Sequence, residues 1–335
     1  MGFVDAVPPA RTRRLLEELL ESGVVLDLTD DVTAVLVAEV DYALRPHVHE
    51  RRVPSFGAII DPSVDPECWG VKTKLRVSRR NVGEMPIAGA RRFADGLSSW
   101  LIRRIDGNDE WAVFDRPAGS ERDLVVIAEV FGATVVQRHP VGTVRVIGAF
   151  GVLRWDGLSW RHEPPLSDWI DSVTSAAFDG DREVLERLLS FAIHDLGSRG
   201  VGATLVYRPH DDPGPPTEEP FPVPPTLQIG EPSDLAPLRH VLAQVDGAAF
   251  FDASGTLVRL GSRLMPSIDA RESVEAYRGT RHTSGRRYSY DDPLATVVVV
   301  SEDGPVTVLR NGELLGTTSS VAVEARRNAD AAAEA

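Results

Sequence analysis

A single cysteine, Cys68, leaves this 335-residue chain without an internal disulfide, which fits a reducing compartment. A basic excess is also missing. Lys and Arg number 36 against 50 Asp and Glu, a net charge of −14. A protein that grips a nucleic-acid backbone needs a broad basic face, so that class is excluded. No apolar run reaches the ~18 residues that a membrane-crossing helix needs. The opening MGFVDAVPPARTRR lacks the basic-then-apolar order of a secretory signal. The expectation is a cytoplasmic, acidic protein with neither nucleic acid nor membrane among its partners. What is present is ordinary. With 42% hydrophobic and 26% charged residues the chain can bury packed cores, and its length suits about two domains.

In the first half, Leu15, Leu16, Leu19 and Leu20 recur at helical spacing over 10–22 and Gly23 closes the run. Strand-like segments follow at 24–28, 32–40, 57–60 and 74–77. Phe93, Leu97, Leu101 and Ile105 mark one face of a helix over 88–105. Strand patterns return at 111–114, 124–129, 134–137 and 143–153. Asp156-Gly157 joins 152–155 to 158–160 as a hairpin. Residues 1–175 therefore read as one α+β domain. His47-Val48-His49 would set two imidazoles on one face of a strand, but no third ligand is near and Arg45, Arg51 and Arg52 surround the pair. It reads as an exposed polar segment. Cys68 reads as a packed or part-exposed thiol, and Trp155, Trp160 and Trp169 as aromatic core.

The second unit, 180–323, opens with a broad apolar stripe over 181–197 that Asp181 caps, then a buried strand over 201–207. The proline-rich 208–225 reads as a surface loop. A helix near 234–245, strands at 248–252 and 256–260, helices from about 270 and 279, and strands at 295–300 and 306–309 complete it. Residues 324–335 offer no apolar face and are expected to fray. Helices interleaved with apolar strands give an α/β fold with a mixed sheet and flanking helices, preceded by the α+β domain.

Chemistry gathers in three segments of this second unit. Asp246-Gly247-Ala248 begins an apolar strand, where Asp246 can bind a metal or accept a hydroxyl proton and Gly247 lets backbone approach a ligand. Gly279-Thr280-Arg281-His282-Thr283-Ser284 sets free amides, hydroxyls and a cation at a helix start, the mixture a phosphate chain needs. Ser301-Glu302-Asp303-Gly304 ends a four-valine run with carboxylates suited to Mg²⁺ or Mn²⁺. Each alone reads more readily as a turn or cap.

Jointly, with the helix 183–196 running into Ser198-Arg199-Gly200-Val201-Gly202-Ala203 and with Val306-Thr307-Val308-Leu309-Arg310-Asn311-Gly312 downstream, they resemble the diadenylate cyclase, or DisA-type nucleotide-binding, domain over about 180–318. That family condenses two ATP into cyclic di-AMP and two pyrophosphates with a divalent metal, each protomer of a dimer bringing one ATP. The resemblance implies that Asp246 serves the attacking 3′-hydroxyl and the metal, and that Gly247 and Ala248 line the nucleotide. It implies further that Leu264 packs on adenine, that Gly279, Thr280, Arg281, His282 and Thr283 hold the triphosphate, that Ser301 contacts phosphate, and that Asp303 sits near Mn²⁺ or Mg²⁺. The family's Arg-His-Arg is here Arg281-His282-Thr283, and Arg286 or Arg287, about one turn on, are the candidates to replace the missing cation. A nucleotide binder without turnover is the alternative. Residues 1–175 are expected by position to sense a small-molecule or protein signal and regulate output. No helix-hairpin-helix or basic domain follows, which disfavours a DNA-scanning role.

Overall fold

Cap and turn chemistry, more than apolar periodicity, decides the elements of the first half. The computed structural model describes residues 9–26, 29–48, 50–174, 178–210, 214–218, 221 and 223–333. It divides into two units, Met1–Pro165 and Leu166–Ala335. The first contains α1 (Pro9–Glu21), α2 (Asp31–Leu44), β1 (Phe56–Ile60), α3 (Pro66–Thr73), β2 (Val77–Asn81), α4 (Ile87–Ala90), β3 (Ser99–Arg103), β4 (Glu110–Phe114), α5 (Glu121–Phe131), β5 (Thr134–Arg138), β6 (Val144–Gly148), β7 (Gly151–Trp155) and β8 (Trp160–Glu163). Its eight-stranded sheet has the order β2-β4-β3-β1-β5-β6-β7-β8. The β1–β3 pair is parallel and the others antiparallel. One core joins α1 and α2 to the sheet through Leu19, Val37 and Leu101; the other joins α3 and α5 through Trp69, Leu124 and Phe131.

Several expectations fail here. Residues 32–40 form α2, not a strand: the Asp30 carboxylate accepts the Val32 and Thr33 amides, and Val35 through Val40 are all buried, so no amphipathic period is visible. Residues 124–129 lie in α5, which Ser120 and Asp123 start with a reciprocal capping box and Gly132 ends. The helix over 88–105 stops early, because the Asp95 carboxylate accepts the Leu97, Ser98 and Ser99 amides in a turn and the chain enters β3. Phe93 and Ile105, its supposed apolar face, are exposed. The 152–160 hairpin forms as β7–β8. Cys68 is exposed. Val24, Val25 and Leu26 form no strand, and neither do residues 74–76, since β2 begins at Val77; Asp27, Leu28 and His49 lie outside the described residues, and His47 is exposed.

Two clusters of charge in this unit are internal. Glu39, fully buried on α2, receives two hydrogen bonds from Arg91 at 2.9 and 3.1 Å and another from Arg103, which also reaches Asp109 at 3.0 Å. Glu121 takes a bidentate pair from Arg154 at 2.7 and 2.6 Å. Burial works against the Arg154 charge, but Glu121 and Glu163 outweigh it and hold the guanidinium protonated.

The second unit contains α6 (Leu166–Val173), α7 (Arg182–Phe191), β9 (Ala203–Tyr207), β10 (Thr217–Glu218), α8 (Leu235–Leu242), β11 (Ala248–Phe251), β12 (Leu257–Leu264), α9 (Ile268–Ser273), α10 (Thr280–Asp291), β13 (Thr296–Val300), β14 (Val306–Arg310), β15 (Glu313–Thr317) and α11 (Thr318–Ala333). Helix α6, read from sequence as part of the first domain, belongs here: Trp169, Ile170 and Val173 join the larger core. The sheet order is β10-β12-β11-β9-β13-β14-β15, with β9 and β11 parallel in a mixed sheet. Successive side chains of a strand point to opposite faces. Accordingly Val298 and Val300 pack with α6, α7 and α8, while Val297 and Val299 pack under α10 with Val206, Phe250 and Tyr288. The expected frayed tail instead continues α11 to Ala333: Val321 is fully buried, and the alanine-rich remainder has high helix propensity. Among the described residues no helix is long and apolar enough to cross a membrane.

Candidate functional site

Sheet register brings distant segments to one edge. The antiparallel pair β9–β13 sets Val300 opposite Ala203, and the parallel pair β9–β11 sets Ala248 opposite Thr204. Ser301, Gly202 and Gly247 therefore leave the sheet at the same end. Helix α10 crosses the adjoining face closely: Gly285 has no side chain, and a Cβ there would come within 3.1 Å of Val297 and 3.2 Å of Val299. Its start projects to that same end, where a cleft of about 550 Å³ opens, lined in part by Gly279, Thr280, Arg281, His282, Ser301 and Asp303.

Arg281 ties the rim together. Its guanidinium lies 3.0 Å from Glu302 and 3.9 Å from the fully exposed Asp246 carboxylate. Gly202 makes room for this: a Cβ there would stand 2.4 Å from the Arg281 guanidinium and 2.8 Å from Glu302 Cγ. Gly247, at φ +104°, admits β12 so closely that a Cβ would meet the Gly261 backbone at 2.6 Å. Gly279 precedes α10 without a side-chain cap, so the first helical amides face the cleft unsatisfied. An anion fits there.

His282 and Thr283 serve other ends. The His282 ring is buried, shares a 3.3 Å hydrogen bond with the Thr307 hydroxyl and meets the Tyr277 ring edge-on. Burial and then the charge of Arg278 lower its pKa, against an opposing pull from Asp303. It borders the cleft as a neutral ring, not as a cation. The Thr283 hydroxyl accepts the Tyr277 amide at 3.1 Å and donates to the Tyr277 carbonyl at 3.3 Å, which fixes the loop ahead of α10.

The family model described as "DisA bacterial checkpoint controller nucleotide-binding" matches residues 191–314, the stretch that builds this cleft. The second unit holds a DisA-type nucleotide-binding domain. Ahead of it, residues 14–163 match the model described as "Probable sensor domain DACNK", so the chain has a sensor-then-DisA-type layout. A comparison with curated proteins found no match. Twenty chains of solved structure match. One is a hypothetical membrane spanning protein from Bacillus cereus, 22% identical over 38% of this chain and 59% of that one, TM-score 0.27. Another is DacA from Staphylococcus aureus, as a double mutant, 20% identical over 39% of this chain and 84% of that one, TM-score 0.25.

Within the DisA-type domain, Gly279, Thr280, Arg281, His282, Ser301 and Asp303 line one cleft, and Asp246 joins its rim through Arg281. Ala248 and Leu264 do not line it; both are buried with Phe250 and Tyr288 under α10. Arg286 and Arg287 do not replace the missing cation. Arg286 donates to the Gly312 and Glu275 carbonyls, and Arg287 to those of Val274 and Arg271. Though they stand about one turn beyond Thr283 on α10, neither is among the residues that line the cleft. Glu302, read from sequence as one of the carboxylates of its segment, reaches the cleft, and so does Arg278, which sequence reasoning passed over. The signal for Arg278 was adjacency: it directly precedes Gly279, already singled out.

Proposed function

We propose that this protein is a diadenylate cyclase whose DisA-type domain condenses two ATP into cyclic di-AMP and two pyrophosphates, with the sensor unit regulating output. One observation carries the reading: in a domain of this family, a helix start bearing Arg281 faces Asp246, Glu302 and Asp303 across one cleft. In each half-reaction the 3′-hydroxyl of one ATP attacks the α-phosphorus of the other and pyrophosphate leaves. The protein's share is placement and charge. The α10 amides and Arg281 hold the triphosphate, the Ser301 hydroxyl donates to a phosphate oxygen, and Asp246 takes the hydroxyl proton.

Asp246 and Asp303 would hold Mn²⁺ or Mg²⁺. Among the described residues no cluster of three or more His, Cys, Asp or Glu forms, and one or two carboxylates completed by substrate phosphates is the donor set such an ion takes in phosphoryl-transfer sites. The open Asp246 carboxylate fits it. A bound ion there supplies Lewis-acid stabilisation to the transferring phosphate. Two identical substrates giving a symmetric product suit two half-sites facing across a two-fold axis, so a homodimer is the active form.

Incubating the purified protein with ATP and either metal, then identifying products by mass, tests this. Cyclic di-AMP and pyrophosphate are expected, with specific activity falling on dilution. No product with either metal at dimer-permitting concentrations overturns the reading. Thermal stabilisation by ATP without pyrophosphate release would instead support a silent binder, the reading that Thr283 in place of the family arginine motivates.

A further inference from the structure

Two arginines line the cleft, Arg278 and Arg281, and they differ in how their charge is already used. Arg281 is countered by Glu302 at 3.0 Å and Asp246 at 3.9 Å. Arg286 and Arg287 spend their guanidinium groups on backbone carbonyls, and His282 is a buried ring with a lowered pKa. Arg278 is exposed, and among the described residues no carboxylate pairs with it. Its guanidinium stands 5.3 Å from the Tyr277 ring centroid, a cation–π contact that biases where the head group rests while leaving its N–H groups open. Its backbone is held at φ +50°, immediately before Gly279 and the exposed α10 amides. A left-handed arginine is strained, and the Thr283 hydroxyl that brackets Tyr277 helps hold the loop in that form.

We propose that Arg278 is a second triphosphate-binding residue of this cleft, supplying the uncommitted positive charge that Arg281 lacks. The inference rests on the nucleotide-binding reading above. It is specific to phosphate: the guanidinium gives charge-assisted hydrogen bonds to phosphate oxygens, so its contribution grows along AMP, ADP and ATP.

The test uses the full-length protein in metal-free buffer, with ATP, ADP and AMP affinities measured by calorimetry at two salt concentrations. Arg278→Gly is the main variant, since glycine adopts the same backbone without strain; Arg278→Lys keeps the charge without the planar fork. We expect Arg278→Gly to weaken ATP binding about tenfold, leave AMP nearly unchanged and flatten the salt dependence, with Arg278→Lys in between. Unaltered melting temperatures exclude misfolding. If Arg278→Gly binds ATP as the parent does, with the same salt dependence, this inference is overturned while the functional reading stands. If the parent protein binds neither ATP nor AMP, the functional reading fails and takes this one with it.

Discussion

Two charge clusters, one in each unit, are handled in opposite ways. In the first unit, Glu39 is shared by Arg91 and Arg103, Asp109 supplies the second carboxylate, and Glu121 pairs with Arg154, all largely out of water. In the DisA-type unit, Arg281, Glu302 and Asp246 meet at an open sheet edge where each is substantially exposed. A buried pair is fixed, because removing either partner strands a charge in a dry interior. An exposed pair costs little to break, so its members can be exchanged for a ligand. Charge is architecture in the first cluster and open to exchange in the second.

Four substitutions can break or sharpen this contrast. The largest effect is expected for Glu39→Ala, which leaves Arg91 and Arg103 buried without their shared carboxylate and costs about 3–5 kcal/mol in denaturant unfolding of the first unit. A marginal loss would remove the distinction. Next, Asp246→Asn should lower cyclic di-AMP formation by about 100-fold or more while the melting temperature holds, since the side chain is fully exposed. Thr283→Val, which frees the Tyr277 amide and carbonyl, should cost about 1 kcal/mol and raise KM for ATP; an unchanged KM would show that the loop orders itself.

The smallest effect concerns acid. His282 has its folded pKa below the ordinary 6.5, so the unfolded chain takes up the proton first. Stability is full above 6.5 and is lost as pH falls from there through the folded value. His282→Gln should flatten the melting-temperature profile between pH 7 and 5.5, and a profile that keeps its slope would assign the acid sensitivity elsewhere.

Much of the fold was legible, unevenly. Helix α7, the β13–β14 hairpin and the β7–β8 hairpin follow from stripe, cap and turn residues read directly. Helices α2 and α5 were missed for different reasons. Burial on every side of α2 erases its period, whereas α5 announced itself through Ser120 and Asp123, a capping signal left unread. The three site segments were visible as motifs. Their meeting was not, because it depends on which residue of β9 faces which residue of β11 and β13. Leu264 shows the limit from the other side: a leucine on a strand carries no mark of which layer it fills, and here it fills the core.

Gly202 has one more consequence. What a methyl group there would strike is the movable tip of Arg281 and the stem of Glu302, not rigid backbone. Gly202→Ala should therefore leave β9 on its path and turn the guanidinium out of its seat. A single hydrogen atom, where every other amino acid has carbon, leaves the Arg281 guanidinium its seat, and filling that space would give a folded protein with the seat vacated, in which the first unit can be studied by itself.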